Sequence, residues 1–255
     1  MTTLLEVKDL SRAFGGLQAV NNVSFAVKKE TIKALIGPNG AGKTTLFNLI
    51  SGMLPPDSGS IFFDGGPVHG LKPYQIASKG MARTFQHIRL FPKMTALENV
   101  MLGRHTHSRA AFIPGMLALP WTWREEKKIQ EASLEIMGFL GISELAGSEA
   151  TSLAYGQQRI VEMARALACE PELLLLDEPA AGLNMRETAG MAHLITKIKD
   201  RGVTVLLVEH DMSLVMDISD EIIVLSYGEK IADDIPLAIQ KNREVIRIYL
   251  GEEDA

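Results

Sequence analysis

Short runs of apolar residues recur along the chain, and segments with helical spacing of apolar positions lie between them. Several runs are continuous rather than alternating, which is typical of strands buried on both faces. Met191, Leu194, Ile195 and Ile198 illustrate the helical spacing. This alternation predicts an α/β fold with a mainly parallel sheet. The predicted strands are 4–7, 23–27, 31–36, 60–63, 173–176, 203–208 and 221–225.

The pattern changes at three places. The runs before residue 30 and near residue 60 suggest an antiparallel β addition on the N-terminal side. From about 87 to 155 the strand signal fades and the segment reads as helical, around a looser stretch rich in proline and tryptophan at 105–123. The tail from about residue 235 reads as a helix with an acidic end.

Composition narrows the possible functions. The 255 residues are 46% hydrophobic, which supports a sizeable core, and the net charge of −5 argues against broad nucleic-acid binding. The N-terminus lacks the pattern of a signal peptide, and no apolar run approaches the ~18 residues that span a bilayer. Any membrane role therefore requires a partner. The single cysteine, Cys169, fits a reducing compartment and is interpreted as a small buried residue.

The segment GPNGAGKTT at 37–45 follows a predicted strand and opens a predicted helix, and it fits the phosphate-loop pattern G-x-x-x-x-G-K-[ST]. Its glycines allow backbone N–H groups to surround phosphate oxygens. Lys43 is expected to reach the outer phosphates and Thr44 to bind Mg²⁺ through its hydroxyl. The predicted nucleotide-binding residues are Gly37, Pro38, Asn39, Gly40, Ala41, Gly42, Lys43, Thr44 and Thr45.

A second motif, LLLLDEP at 173–179, is a buried strand that ends in two carboxylates. Asp177 is placed to bind Mg²⁺, usually through water, and Glu178 to orient and polarise an attacking water. Acidic residues at strand ends are common, so the motif would be ambiguous alone. The phosphate loop favours the catalytic interpretation.

A third motif, SLAYGQQR at 152–159, runs from a polar loop into an amphipathic helix. A helix start with a glycine in its first turn is a good site for an anion, because unpaired N–H groups point outward there. One nucleotide does not obviously need both this loop and the phosphate loop.

The order of these motifs resembles the ATP-binding subunit of ABC transporters over nearly the whole chain. The resemblance implies that Phe14 stacks on adenine and that Gln86 senses Mg²⁺ and the attacking water. It also implies that His210 contacts the γ-phosphate and that AGLN at 181–184 is the loop after the catalytic glutamate. The signature loop, usually LSGGQ, would consist of Leu153, Ala154, Tyr155, Gly156 and Gln157.

The family resemblance further implies ATP and Mg²⁺ as ligands and one cassette over 1–255 with a RecA-like P-loop core. That core with its β subdomain would comprise 1–86 and 156–234, the inserted helical subdomain 87–155, and the helical tail 235–255. Two cassettes would face head to tail, so that each signature loop closes on the ATP of its partner, a related chain or a copy. The partners would also include a transmembrane permease and, indirectly, a solute-binding protein, but no nucleic acid. The cassette would be cytoplasmic and peripheral on the inner face of the cell membrane.

Three positions depart from the family pattern. Ala154 replaces the usual serine, Tyr155 the first glycine, and Asn184 a common aspartate. Loss of the serine hydroxyl removes one hydrogen bond to phosphate, worth ~1.5–3 kcal/mol with a charged partner, while N–H groups and the helix dipole remain. LAYGQQR, VEHDM and the C-terminal EVIRIYLG also resemble one branch, the ATPase subunits of importers for branched-chain or hydrophobic amino acids.

Three other functions fit the sequence less well. ABC ATPases that act on ribosomes or DNA usually carry two cassettes or a long coiled coil, and neither is present. A P-loop GTPase or small-molecule kinase would have no use for a signature loop, and no N-K-x-D segment occurs. A module that binds ATP without hydrolysis is disfavoured by Glu178 and His210. His105 and His107 are interpreted as ordinary loop histidines, and the proline- and tryptophan-rich stretch as either a docking surface or packing.

Overall fold

The computed structural model describes residues 2–104 and 120–250. Its contacts divide the chain into two compact units, Met1–Arg83 with Glu172–Ala255, and Thr84–Pro171. His105, His107 and residues 105–119 of the proline- and tryptophan-rich stretch lie outside the described residues. Within the described ranges, no helix combines the length and apolar character needed to cross a membrane.

The strands, in chain order, are β1 Thr3–Phe14, β2 Leu17–Lys28, β3 Ile32–Ile36, β4 Ser58–Phe63, β5 Gly66–Pro67, β6 Met81–Arg83, β7 Leu173–Asp177, β8 Thr204–Val208, β9 Glu221–Ser226 and β10 Glu229–Asp234. The described helices are α1 Lys43–Ile50, α2 Pro73–Ala77, α3 Ala96–Arg104, α4 Pro120–Phe139, α5 Tyr155–Leu167, α6 Met185–Asp200, α7 Met212–Ile218, α8 Pro236–Lys241 and α9 Arg243–Leu250.

The first unit contains two sheets. Six strands form the larger one in the order β10-β9-β3-β8-β7-β6, in which only the edge strand β10 is antiparallel to its neighbour. Every residue of β3, β7 and β8 is buried. This burial explains why apolar residues in these segments do not alternate regularly with polar ones.

The smaller sheet is antiparallel and has the order β2-β1-β4-β5. One apolar core joins this sheet to α1 and to the larger sheet, and it includes Val7, Phe47, Leu35 and Leu206. The first helix after β3 is therefore fixed by packing on its apolar side. This arrangement confirms the predicted α/β fold with an antiparallel β addition.

The second unit is helical in its described part. Helix α5 packs against α3 and, over a smaller area, against α4, and two short 3-10 turns precede it at Ser143–Leu145 and Ala150–Ser152. The unit boundaries fall at 83/84 and 171/172, whereas the sequence placed them after 86 and after 155. The first boundary places Gln86 in the helical unit, and the second places the whole of α5 there, because α5 packs on the helices before it.

Candidate functional site

The loop between β3 and α1 carries the predicted phosphate-binding residues. Helix α1 begins at Lys43, after Gly42 in a left-handed conformation with φ 100°. A side chain could not fit at this position, because a Cβ on Gly42 would lie 2.2 Å from the Ala19 carbonyl oxygen. Since glycine provides no capping side chain, the first N–H groups of α1 are left to face an anion.

Lys43 is buried within this loop, with 6% of its surface exposed. Its Nζ donates to the carbonyl oxygens of Gly37 at 2.7 Å and Pro38 at 2.9 Å. Burial lowers the pKa of Lys43, and the negative charge of Glu178 opposes that shift. A buried ammonium held by neutral carbonyls suits a phosphate group, which supplies the negative charge that those carbonyls lack. The loop therefore fits a nucleotide.

Asp177 ends β7 and is 4% exposed. Its Oδ2 accepts from Arg83 Nη2 at 2.8 Å, and Arg83 Nη1 donates to Asn48 Oδ1 at 2.8 Å and Ser51 Oγ at 2.7 Å. Arg83 thus ties the carboxylate to α1. Sequence reasoning missed Arg83, although its place three residues before Gln86 was a usable signal. The Asp177 carboxylate and the exposed hydroxyl-bearing Thr44 are oxygen donors of the type that Mg²⁺ prefers.

Glu178 and His210 meet directly. The Glu178 Oε1 and His210 Nε2 atoms are 2.7 Å apart, with the glutamate side chain 14% exposed and the histidine 46% exposed. Glu178 has a left-handed backbone, φ 50°, and its N–H donates to the Val208 carbonyl at 2.9 Å. Such a conformation is strained for a residue with a side chain, and strain of this kind concentrates at functional sites.

The buried carboxylate of Glu209 adjoins this pair, and the sequence motifs did not single it out. It is 4% exposed and accepts the backbone N–H of Ala180 at 2.7 Å and of His210 at 2.9 Å. Burial raises the pKa of Glu209, these hydrogen bonds lower it, and the charge of Glu178 raises it further, for a net increase. One side chain thus fixes both the loop after Glu178 and the backbone of His210.

Two aromatic residues adjoin the loops of this unit. Phe14 ends β1 with 44% of its surface exposed, and the Arg12 guanidinium carbon lies 5.1 Å from its ring centroid. Burial raises the pKa of the Tyr249 phenol, in α9, to about 12, and the nearby Gly37 backbone opposes that shift. The contact of Tyr249 with the phosphate loop spans most of the chain and was not predicted.

The second unit carries the LAYGQ loop and Gln86. Helix α5 starts at Tyr155, and Ala154 at its N-cap has a methyl group in place of a capping acceptor. The Gln157 Oε1 accepts the Ala154 N–H at 3.0 Å. Leu153 is buried, whereas Ala154 and Tyr155 are exposed. The N–H groups of the first turn are therefore not claimed by an N-cap side chain, as an anion site requires.

Gln86 is exposed, and its carbonyl oxygen accepts from Arg159 Nη2 at 2.6 Å. The structure thus collects the phosphate loop, Asp177, Glu178 and His210 in the first unit, and Gln86 and LAYGQ in the second. Of the three predicted Mg²⁺ ligands, Thr44 and Asp177 share a unit and Gln86 belongs to the other.

A family model described as "ABC transporter" matches residues 20–181, which is more than half of the chain. The chain belongs to the ABC transporter family. A second model, described as "Branched-chain amino acid ATP-binding cassette transporter", matches residues 229–255 at the C-terminal end of the cassette. Membership of the ABC transporter family implies nucleotide binding by the cassette.

Curated relatives align with this ABC cassette over nearly its whole length. The high-affinity branched-chain amino acid transport ATP-binding protein BraF of Pseudomonas aeruginosa is 46% identical over 250 residues, 98% of each chain. The corresponding LivG protein of Escherichia coli K12 is 44% identical over 250 residues, again 98% of each chain. The probable LivG protein of Archaeoglobus fulgidus is 36% identical over 253 residues, 99% of this chain and 97% of its own.

Solved ABC cassettes share the fold. A nucleotide-free ATP-binding cassette from an ABC transporter has a TM-score of 0.86 and 30% identity, covering 98% of this chain and 100% of its own. A dimeric cassette in a post-hydrolysis state, bound to ADP and Pi, has a TM-score of 0.77 and 26% identity, covering 91% of this chain and 99% of its own. These similarities confirm the predicted P-loop fold of the ABC family.

Proposed function

We propose that this cassette binds and hydrolyses ATP to power an importer of branched-chain or other hydrophobic amino acids. The observation that carries the hydrolytic part is the 2.7 Å contact between Glu178 and His210, beside a phosphate loop that holds the buried Lys43. The solute class is supported by the identity of 44–46% to BraF and LivG over 98% of the chain.

The site residues have separate roles in this proposal. Residues 37–45 hold the phosphates through backbone N–H groups and Lys43, and Phe14 stacks on the adenine ring. Thr44, Asp177 and Gln86 are the residues that would hold Mg²⁺, which when bound offsets charge on the phosphoryl oxygens. Arg83 keeps the Asp177 carboxylate in place.

Glu178 is the proposed general base. Its carboxylate accepts a proton from the attacking water, and the contact with His210 fixes its orientation. His210 in turn is the residue proposed to contact the γ-phosphate. Because Glu209 holds the backbone of His210 and of Ala180, the base and the histidine keep their relative position while the proton is transferred.

The signature loop, residues 153–157, is proposed to act on the ATP of a second cassette in a head-to-tail dimer. Support comes from the open first turn of α5 and from the dimeric structures solved for other ABC cassettes. The dimer would drive a membrane permease fed by a solute-binding protein, and the cassette would sit peripherally on the inner face of the membrane.

The test is reconstitution of the whole transporter in vesicles, with uptake of leucine, isoleucine and valine measured together with ATP hydrolysis. The Glu178→Gln change keeps the shape of the side chain and removes its basicity. Hydrolysis at that site should fall at least ~100-fold, the usual scale for a lost general base, while ATP still binds. Glu131→Gln, on the exposed surface of α4, serves as the matched control with unchanged rates.

The two parts of the proposal fail separately. ATP hydrolysis that responds to none of the three amino acids would refute the solute class and leave the hydrolytic role standing. Unchanged turnover of Glu178→Gln, at a site shown to bind ATP normally, would remove Glu178 from the role of base.

A further inference from the structure

We propose that Arg159 is a positioning residue that ties the Gln86 segment, residues 85–89, to Tyr155 of the signature loop, so that the two loops change conformation together. The inference rests on the proposed function, because it concerns how the two loops serve ATP. Both loops and Arg159 lie within the helical unit.

The link is made by one guanidinium group. Arg159 is 4% exposed, and its Nη1 donates to the Phe85 carbonyl at 3.0 Å. Its Nη2 donates to the Gln86 carbonyl at 2.6 Å and to the Tyr155 hydroxyl at 2.9 Å. The guanidinium carbon also lies 5.3 Å from the Tyr155 ring centroid. A planar fork of donors suits this task, because each N–H has a fixed direction.

The far end of the Gln86 segment is held by the same helix. Glu162, 2% exposed, accepts the Arg89 N–H at 3.2 Å, and Arg165 Nη1 donates to the Arg89 carbonyl at 2.6 Å. The Glu162 carboxylate oxygens lie 3.7 Å from Arg159 Nη1 and 3.7 Å from Arg165 Nη2. Positions 159, 162 and 165 are three residues apart and share a face of α5, so this face fixes the segment at both ends.

The choice of partners argues for a functional link. A buried arginine is costly unless its charge is well solvated by hydrogen bonds. Here the hydrogen bonds go to the successive carbonyls of Phe85 and Gln86 and to Tyr155, the tyrosine that replaces a signature glycine. The carbonyls fix the backbone from which the Gln86 side chain departs, and the hydroxyl fixes the first residue of α5. In the proposed dimer, Gln86 serves the ATP of its own chain and Tyr155 that of the partner, so Arg159 connects the two nucleotides.

The experiment uses the assembled transporter with Arg159→Lys, Tyr155→Phe and the double variant. Lysine keeps a positive charge near Glu162 but cannot bridge two carbonyls and a hydroxyl at once. We expect Arg159→Lys to lower kcat for ATP hydrolysis about tenfold, the effect of one lost hydrogen bond of ordinary strength. Tyr155→Phe should lower kcat about threefold, and the double variant should match Arg159→Lys, because both changes break one link.

The proposed link predicts effects that a purely structural role of Arg159 would not produce. In Tyr155→Phe, ATP affinity and thermal unfolding of the isolated chain should stay at parent values, since the change removes a single hydroxyl from a half-exposed side chain. Amide hydrogen exchange in the same isolated chain should speed up at residues 86–89 in Tyr155→Phe as well as in Arg159→Lys. Arg104→Lys, in the same unit and paired with Glu170, is the matched control and should leave exchange and kcat unchanged.

Effects of Arg159→Lys and Tyr155→Phe that simply add, or parent-like exchange at 86–89 in Tyr155→Phe, would overturn the inference. A parent transporter without ATP hydrolysis would instead refute the proposed function. The exchange measurement on the isolated chain would still test the link in that case, because it needs no turnover.

Discussion

Gly42 shows how strongly single positions constrain the phosphate loop. Its φ of 100° is a conformation that residues with side chains rarely adopt, and the Ala19 carbonyl lies where a Cβ would stand. Gly40, two residues earlier, also has a positive φ, 78°, but nothing lies within 4 Å of the place of its Cβ. The two glycines therefore separate the cost of backbone strain from the cost of a steric clash.

Alanine at each position gives a matched test. Gly40→Ala should lower the free energy of unfolding by about 1–2 kcal/mol, from backbone strain alone. Gly42→Ala should lower it by about 2–5 kcal/mol, because overpacking adds to the strain. Urea unfolding of the isolated chain measures both. Equal losses for the two variants would show that the close approach of Ala19 does not matter.

The residues that the sequence could identify are those in short contiguous motifs. Lys43 opens the helix after β3, and Asp177, Glu178 and His210 stand at or just after strand ends. The structure puts Glu178 and His210 in contact.

Arg83 and Glu209 were missed because a partner of each is distant in sequence: Arg83 meets Asp177 across 94 positions, and Glu209 meets Ala180 across 29. The pairing of β6, β7 and β8 brings these residues together, and no local pattern records it. Tyr249 was missed because it lies in the C-terminal helix α9, far along the chain from the loop at Gly37.

Asn184, at the start of α6, shows what the sequence pattern leaves open at a helix end. Its side chain accepts the N–H groups of Arg186 at 3.0 Å and Glu187 at 3.1 Å, and Glu187 accepts the Asn184 N–H at 3.0 Å. This reciprocal arrangement caps α6. Asn184 departs from the aspartate of the family pattern, yet it forms an intact helix cap, because asparagine and aspartate cap about equally well.

Substitution of this cap tests the element. Asn184→Ala should lower the free energy of unfolding by ~0.5–2 kcal/mol, because two N–H groups lose their acceptor. Asn184→Asp should stay within about 0.5 kcal/mol of the parent, since the carboxylate accepts the same hydrogen bonds. Denaturant unfolding provides the comparison, and a loss for aspartate as large as for alanine would mean that capping is not what position 184 supplies.

Strand prediction found the longer strands that carry buried apolar residues and missed β10 and the shortest strands. The runs that became β3, β7 and β8 are buried along their whole length. β10, with the sequence EKIADD, is an edge strand beside β9, and none of its residues is buried, so nothing in its side chains marks a strand. β6 is three residues long and too short to show a period.

On the scale of the whole molecule, the division into two units assigns the two anion loops to different bodies. The phosphate loop belongs to the first unit and the LAYGQ loop to the second. The sequence motifs distinguish the two loops, but the predicted boundary after 155 divides the LAYGQ loop, because the pattern of α5 does not reveal which neighbours it packs against.

Gly156→Asp tests whether the second loop acts on a partner. The aspartate adds a negative charge where a phosphate must approach, and like charges in a poorly hydrated site repel strongly. The isolated chain should bind ATP about as well as the parent, while hydrolysis at the partner's phosphate loop in the assembled transporter collapses. Lys43→Ala should give the mirror result and lose binding in the isolated chain. Equally weak binding by both isolated variants would mean that the loop acts within its own chain.

The order of strands in the larger sheet has a metric consequence. β8 stands between β3, which leads into the phosphate loop, and β7, which ends at Asp177. Two strand spacings separate those endpoints by about 10 Å. A polyphosphate bound at the loop after β3 must therefore extend across one intervening strand before its far end meets the carboxylates that follow β7. This separation selects a polyphosphate by its length as well as by its charge.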